Sequence, residues 1–410
     1  MNPIVHLKQT IPMFLRLSLL MCLFMSWSAQ AVSPPPDGGY PNNNTAEGTL
    51  ALFSLTTGSA NTAVGFAALA LNLFGTDNTA LGTGALLNNT ASANTGIGSL
   101  ALFNNMQGIR NTATGFAALF SNTTAFNNSG SDNTAFGFGG LAINTIGFDN
   151  TAVGSQALLN NIEGANNTAV GFKALFNITS IMGNHGDRNT AIGDSALFNN
   201  TIGSDNTAIG TGALGNATGS NCIAIGFTAG SNIGSSDNVI AIGSSGDDVD
   251  NTCFIGNIRG VTTQNDDAIG VVVDSAGQLG TLSSSRRFKK DIQTMGKASE
   301  AVLALKPVTF RYKNGKKGML QFGLISEEVA NVDPDLVVRD KNGEIYSVRY
   351  DQVNAMLLNE FLKEHRHVQE QDTIIAWQQK QIEALAAGLQ KVTTQLALNK
   401  SEPRTVLNNR

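Results

Sequence analysis

Polar and apolar positions along this chain follow two patterns that meet near residue 283. From Asn44 the run Asn-Thr-Ala-x-Gly returns, with small variations, at Asn61, Asn78, Asn94, Asn111, Asn133, Asn150, Asn167, Asn189 and Asn206, and degenerate copies are expected at Asn221, Asn238 and Asn251. The dominant step is 17 residues, and two steps of 22 carry five-residue insertions in the second half of the rung, within 123–132 and 177–188. Gly stands four places and Leu eight places after each of the first ten Asn, from Gly48 and Leu52 to Gly210 and Leu214. A fixed period of this size marks a solenoid, whose rungs are stable only against their neighbours. Stretches such as Thr62-Ala63-Val64 alternate in the manner of strands. The fourth residue of the rung (Val64, Leu81, Ile97, Phe136, Val153), the Leu and the small Ala between them are the expected core. Asn and Gly at fixed offsets are expected at turns that need positive φ. Three or four such side chains, at about 1.5–3 kcal/mol each, offset the ordering of a rung at about 1–2 kcal/mol per residue by a thin margin. The rungs are therefore expected to gain burial by packing three chains around one axis.

The period covers residues 44–259 and then stops. Val271-Val272-Val273-Asp274-Ser275-Ala276-Gly277-Gln278-Leu279-Gly280 reads as strand, turn, strand, which makes 260–283 a connector. Residues 284–353 have a compact α+β pattern. A short amphipathic helix at 298–305 ends before Pro307, and a strand at 308–312 turns at Asn314-Gly315 into a second strand at 320–325. Ser326 is expected to cap a helix over 327–332 that Pro334 stops. Residues 336–338 and 345–348 are expected to pair as a hairpin across Asn342-Gly343. A helix then opens at Asp351 and runs without Gly or Pro to Gly388. Phe361, Val368, Ile375, Ile382, Leu389 and Leu396 recur every seven residues, with Leu385 and Val392 in a second seam, the pattern of a coiled coil over 354–400. Residues 401–410 read as a frayed tail. The expected fold is mainly β: an Asn/Gly-rich parallel β-solenoid (β-roll), then a small α+β domain ending in a long coiled-coil helix, assembled as a trimer.

The first 31 residues change where such a chain is expected to work. Lys8 and Arg16 flank a short apolar run, and Ala29-Gln30-Ala31 fits a small-x-small cleavage site, so 1–31 reads as a signal peptide and the product as secreted or cell-surface. Residues 32–43, with Pro34-Pro35-Pro36 and then Asp37-Gly38-Gly39, read as a disordered leader. No second stretch of membrane-spanning length follows. Removal of the signal leaves Cys222 and Cys253, expected as two free, packed thiols because successive rung positions face opposite sides of a strand. Of the 26 Lys and Arg, 20 lie beyond Ser283, but acids rise alongside them, which favours a mixed solvated surface over a nucleic-acid partner. His185, His365 and His367 show no metal-ligand spacing, and no metal or other cofactor is expected. Glycines repeat in every rung, so Gly-x-Gly there does not read as a phosphate loop. Isolated acids such as Glu163 and Asp194 form no recurring carboxylate pair, which argues against a glycan-cleaving site in the repeats.

One constellation carries chemistry. On the seam between the two patterns lies Ser283-Ser284-Ser285-Arg286-Arg287-Phe288-Lys289-Lys290. A hydroxyl five residues before a lysine is a place for a Ser-Lys pair, which activates a serine without histidine. A serine can attack the carbonyl that precedes it, which would break the Ser283–Ser284 bond. Lysine acts as a base only when neutral, a form favoured by burial and by like charges such as Arg286, Arg287 and Lys290. On a straight strand the two groups lie about 16 Å apart. They meet only where the chain folds back or a neighbouring subunit supplies the lysine.

Two resemblances follow from these residues. The repeats over 44–256 resemble the head domains of trimeric autotransporter adhesins, which implies a left-handed parallel β-roll. Ser-Ser-Arg-Arg-Phe-Lys-Lys-Asp-Ile at 284–292, Leu-Lys-Pro-Val-Thr-Phe-Arg-Tyr at 305–312, Gln-Phe-Gly-Leu-Ile-Ser-Glu-Glu-Val at 321–329 and Val-Arg-Tyr-Asp-Gln-Val at 348–353 resemble the intramolecular chaperone auto-processing domain, peptidase S74, of phage endosialidases and tail fibres. That family usually has Asp where this chain has Ser285. The resemblance implies a homotrimeric chaperone that assembles a β-solenoid and cuts itself off, with Ser284 as nucleophile and Lys289 as general base. The partner it implies is the chain itself, and a fibre of this kind takes a cell-surface glycan or protein as ligand. The alternative is an uncleaved trimeric surface adhesin whose C-terminal domain only trimerises.

Overall fold

The computed structural model describes residues 40–123, 130–179, 186–313 and 318–399. The expected signal peptide, the first eight residues of the expected leader, parts of both insertions, the expected Asn314-Gly315 turn, His185 and the expected tail lie outside the described residues. The chain divides into two compact units, Met1–Thr262 and Thr263–Arg410.

The first unit is a parallel β-solenoid. Thirteen three-residue strands, β1 (Thr45–Glu47) to β13 (Cys253–Ile255), form one sheet in which each pairs in parallel with the next. In register Thr meets Thr and Ala meets Ala, as at Thr151↔Thr168 and Ala152↔Ala169. The core departs from the expected one. The middle Ala of each strand points inward, and the fourth residue of the rung points out: Leu81 is 48% and Phe136 53% exposed. Each typical rung buries that Ala, a second Ala and the Leu, for instance Ala152, Ala157 and Leu158. Little room lies between sheet and Leu: where Gly96 replaces the Ala, an added Cβ would come within 3.2 Å of Leu86 and of the Ala101 carbonyl oxygen. At the middle strand position, which faces the Leu, β1 to β12 carry only Ala or Gly, and the larger residue that follows it lies on the outer face.

The repeated Asn serves the core and not a turn. Asn44 has φ −89°, and the ladder Asn from Asn61 onward are buried. Each Oδ1 accepts the backbone N–H of the next ladder residue, as from Asn111 to Asn94 at 2.9 Å and from Asn150 to Asn133 at 3.1 Å. The side-chain amide donates to a glycine carbonyl later in the rung, as Asn150 does to Gly164 at 2.8 Å. Buried polar groups are thereby satisfied along the axis, except Asn167 Nδ2, which has no partner among the described residues. A second row of buried Asn runs through Asn105, Asn122, Asn144 and Asn161. Ile178 follows in that row with no donor to offer, and Asn161 Oδ1 has no partner among the described residues.

Positive φ belongs to other positions: the residue before the ladder Asn, the Gly, the second residue after the Gly, as at +62° in Gln156, and the Leu itself, at +51° in Leu158. A left-handed L-residue costs about 1–2 kcal/mol, while burying a Leu returns about 1.5–3 kcal/mol. Burial wins, so Leu is kept where a backbone preference alone would select Gly. The Gly has no such latitude. Gly154 has φ +137°, and an added Cβ would lie 2.4 Å from the Gly171 carbonyl oxygen. Gly154→Ala is expected to destabilise the solenoid by more than about 2 kcal/mol. Gly140 stands where other rungs carry Ala, with its nearest contact at 3.7 Å, so Gly140→Ala should be neutral or stabilising by up to about 1 kcal/mol. Thermal melts of the two variants check the contrast.

Three sequence expectations are corrected at the ends of the ladder. In the degenerate rungs Asn221, Asn238 and Asn251 occupy the left-handed position before the ladder, with φ of 59°, 57° and 58°. Cys222 takes the ladder place: its N–H donates to Asn206 Oδ1 at 2.8 Å and its thiol donates to the Ser236 carbonyl at 3.3 Å. Burial pushes that thiol's pKa up. Both cysteines are free, but Cys253 begins a strand and is exposed, so only Cys222 is packed. At the other end, the last four residues of the expected leader are built into the fold. Tyr40 bridges to Asn44 and donates its hydroxyl to the Ala46 carbonyl at 3.2 Å, across a tight turn at Pro41–Asn43 in which Asn42 and Asn43 have positive φ.

The second unit is small and mixed. Antiparallel pairs form between β14 (Val271–Val273) and β15 (Leu279–Thr281), β16 (Val308–Phe310) and β17 (Gln321–Gly323), and β18 (Val337–Arg339) and β19 (Ile345–Val348). The expected helix at 298–305 is a 3-10 helix, Ala298–Ala304. Helix α1 (Ser326–Val332) has Ile325 at its N-cap, and Ser326, expected as the cap, makes no capping hydrogen bond. The chain ends its described part in α2 (Tyr350–Leu398), 49 residues long. Val353 and Met356 of α2 pack with Val302, Val329, Leu336, Val337 and Val348 in one core. The heptad residues further along α2 are exposed, Ile375 by 60% and Leu389 by 70%.

Candidate active site

The seam serine and lysine are brought together within one chain. Ser285 is extended, Arg286–Phe288 form one turn of 3-10 helix, and Lys289 resumes an extended backbone. The N–H of Phe288 closes the turn on the Ser285 carbonyl at 3.0 Å. This fold-back replaces the straight path and sets Lys289 Nζ 3.0 Å from Ser284 Oγ, in hydrogen-bond contact. The Arg287 guanidinium lies over the Phe288 ring at 4.6 Å. The Ser285 N–H donates to Ser283 Oγ at 3.4 Å. Ser283, Ser284 and Lys289 are all solvent-facing in the single chain.

A second Ser-Lys contact, which sequence reasoning missed, lies in the same unit. Ser299 is fully buried, and its Oγ is bonded to Glu360, accepts from Asn359 Nδ2 at 2.6 Å and accepts from Lys363 Nζ at 3.3 Å. Lys363 also binds Glu360 at 2.7 Å and approaches Glu300 at 3.6 Å. The Glu360 hydrogen bond raises the pKa of Lys363, and the Lys363 hydrogen bond, then that of Ser299, lowers the pKa of Glu360. Lys363 is thus held charged and cannot serve as a base. The cluster fastens α2 to the Ala298–Ala304 helix. Its only sequence signal is the Glu360–Lys363 spacing along a helix, which says nothing of Ser299. Lys289 makes no ion pair among the described residues.

Motif residues beyond the seam have structural tasks. The Tyr350 hydroxyl accepts the Leu324 N–H at 3.0 Å, pinning β17 to the start of α2. A Cβ at Gly323 would lie 2.8 Å from that hydroxyl, so a larger residue there would have to displace the Tyr350 side chain. Arg311 Nε donates to the Gly318 carbonyl at 2.7 Å. His365 and His367 sit on α2 against Gln369 and Gln371. Among the described residues no group of side chains could hold a metal ion, and no helix is long and apolar enough to cross a membrane.

A parallel β-solenoid joined in sequence to a small mixed unit defines a fibre-like protein whose C-terminal segment carries a serine against a lysine. The comparison with protein families places that segment: residues 284–338 match Peptidase_S74, the chaperone of endosialidase. The match opens on Ser284 and covers Lys289, β16, β17 and α1. Neither a curated protein nor a solved structure matches the chain.

Proposed function

We propose that this chain is an exported, fibre-forming β-solenoid whose C-terminal unit chaperones homotrimer assembly and then releases itself by cutting beside Ser284. The observation that carries the reading is the 3.0 Å contact of Lys289 Nζ with Ser284 Oγ at the first residue of the chaperone-family match. In the proposed reaction Ser284 Oγ attacks the Ser283 carbonyl carbon while Lys289 takes the hydroxyl proton. Collapse of the tetrahedral adduct breaks the Ser283–Ser284 C–N bond, and the departing nitrogen takes up a proton to leave as an amine. The resulting ester joins Ser283 to Ser284 Oγ. Water hydrolyses it, giving a Ser283 carboxylate and restoring the Ser284 hydroxyl at a new N-terminus.

A lysine works as a base only when its surroundings disfavour the charged form, which burial does. In the single chain the pair faces solvent, so the burial must come from neighbouring copies, and cleavage waits for assembly. The exposed heptad face of α2 is what would gather those copies. Signal removal places the product outside the cell, where a surface glycan or protein is its proposed ligand. Ile375→Asp with Ile382→Asp tests the coupling, because both changes lie far along α2 from Ser284. The double variant is expected to be monomeric by light scattering and uncut by mass spectrometry. A monomer that still cuts itself would separate cleavage from assembly and overturn the proposal.

A further inference from the structure

The outward row of the solenoid sheet lies outside the buried core of a single chain. Every strand from β2 to β13 ends in an outward apolar residue except β5, which ends in Thr114; β1 ends in Glu47. Over six successive rungs the row reads Val153, Val170, Ile192, Ile209, Ile225 and Ile242. The first strand position also faces out, and it changes from Thr to Ile223 and Ile240 in the rungs nearest the C-terminal unit in sequence. From β2 to β13 no strand residue on this face is charged.

We infer that this sheet face is the seam along which copies of the chain pack, each laying its row against the same row of its neighbours. The inference rests on the self-association proposed above and names the surface that carries it. Three observations select a second copy as the occupant. The row repeats once per rung, at about 4.8 Å, and another copy in parallel register presents the same repeat. The face is uncharged, so identical faces meet without like-charge repulsion. The edge formed by the residues before the ladder Asn is the contrary case. It carries Asp77, Arg110, Asp132, Asp149, Arg188 and Asp205, with Arg110–Asp132 and Arg188–Asp205 already paired at 2.6 and 2.7 Å within the chain, and self-contact there would set like charges together. The third observation is area. Twelve rungs make a strip about 58 Å long and about 10 Å wide, roughly 600 Å² per chain, so two strips laid face to face bury about 1,200 Å², the lower edge of stable interfaces, and three around one axis share about 1,800 Å² among three contacts. An apolar strip of that size left open is an aggregation site.

The test uses the full chain carrying Cys253→Ser, which leaves buried Cys222 as the remaining native thiol outside the signal segment. Ile225→Cys places a thiol on the face, and Asn216→Cys places one on another exposed part of the rung. Light scattering first gives the native mass, and a short bismaleimide is then added. Ile225→Cys is expected to give covalent pairs as its major product, and Asn216→Cys none. A trimer in which Ile225→Cys stays uncross-linked and labels freely with a maleimide-polymer overturns the face while leaving self-association intact. A monomeric native mass overturns self-association and the face with it. Val153→Cys, on the same row, replaces Ile225→Cys where the latter does not fold, with the same outcomes.

Discussion

Replacing Ser284 by alanine is expected to leave the chain whole while the trimer still forms. The side chain is exposed and contributes only its contact with Lys289, so its loss removes the nucleophile and touches no core. Self-cleavage should slow by at least about 10³-fold. Ser283→Ala, which keeps the attacked carbonyl, should cut at nearly the parent rate. Lys289→Ala should resemble Ser284→Ala, because loss of a general base costs about 10²–10⁴-fold. Lys289→Arg should not rescue, since a guanidinium does not give up its proton. Intact mass after purification reads all four variants. Cutting in Ser284→Ala would remove Ser284 from its assigned role, and cutting in Lys289→Arg would remove the lysine.

The second large effect concerns the solenoid without its guide. Residues 32–283 expressed alone are expected to aggregate, whereas the same fragment released from the full chain stays soluble and trimeric. The interior of a rung is little more than two Ala and a Leu, so a single chain has a slender core and an open apolar strip. Its strands β1 and β13 also end the sheet with unpaired edges, which recruit other chains. Helix α2, with Phe361 to Leu396 repeating along one exposed face, would hold three chains side by side and raise their effective concentration before the rungs pair. Once packed, the rungs hold one another through ladder bonds and the guide is dispensable. Sedimentation and light scattering compare the two preparations. A soluble, folded monomer from residues 32–283 made alone would sink the chaperone role.

Much of this fold could be read from the spacing of residues, and the parts that could not share a cause. The 17-residue step marks the rungs, and the Gly and Leu offsets hold throughout the regular part. The period does not say which way a strand faces. Val64 and its equivalents are expected inside on hydrophobicity, yet the inward place goes to the middle strand residue, Ala or Gly in β1 to β12. Asn150 reads as a turn former by type, but its role as a buried acceptor for Asn167 exists only once rungs stack. Counting by Asn identity misplaced the degenerate rungs by one residue, where the buried Ala224 and Ala241 set the register. In the second unit the Ser284–Lys289 spacing was legible because one local turn closes it. Ser299 meets Glu360 across 61 residues of sequence, and no local pattern announces such a meeting. Ser326 has the identity of a cap, but the helix starts one residue early and takes Ile325 at the N-cap.

Intact-protein mass spectrometry on the purified wild-type protein, alongside its native mass, tests the central claim most directly. The account predicts a trimeric particle whose chain ends at Ser283 and a separate fragment that begins at Ser284. A trimer of single uncut chains running through Ser284 would contradict it, and would make the C-terminal unit a permanent trimerisation module of a surface adhesin.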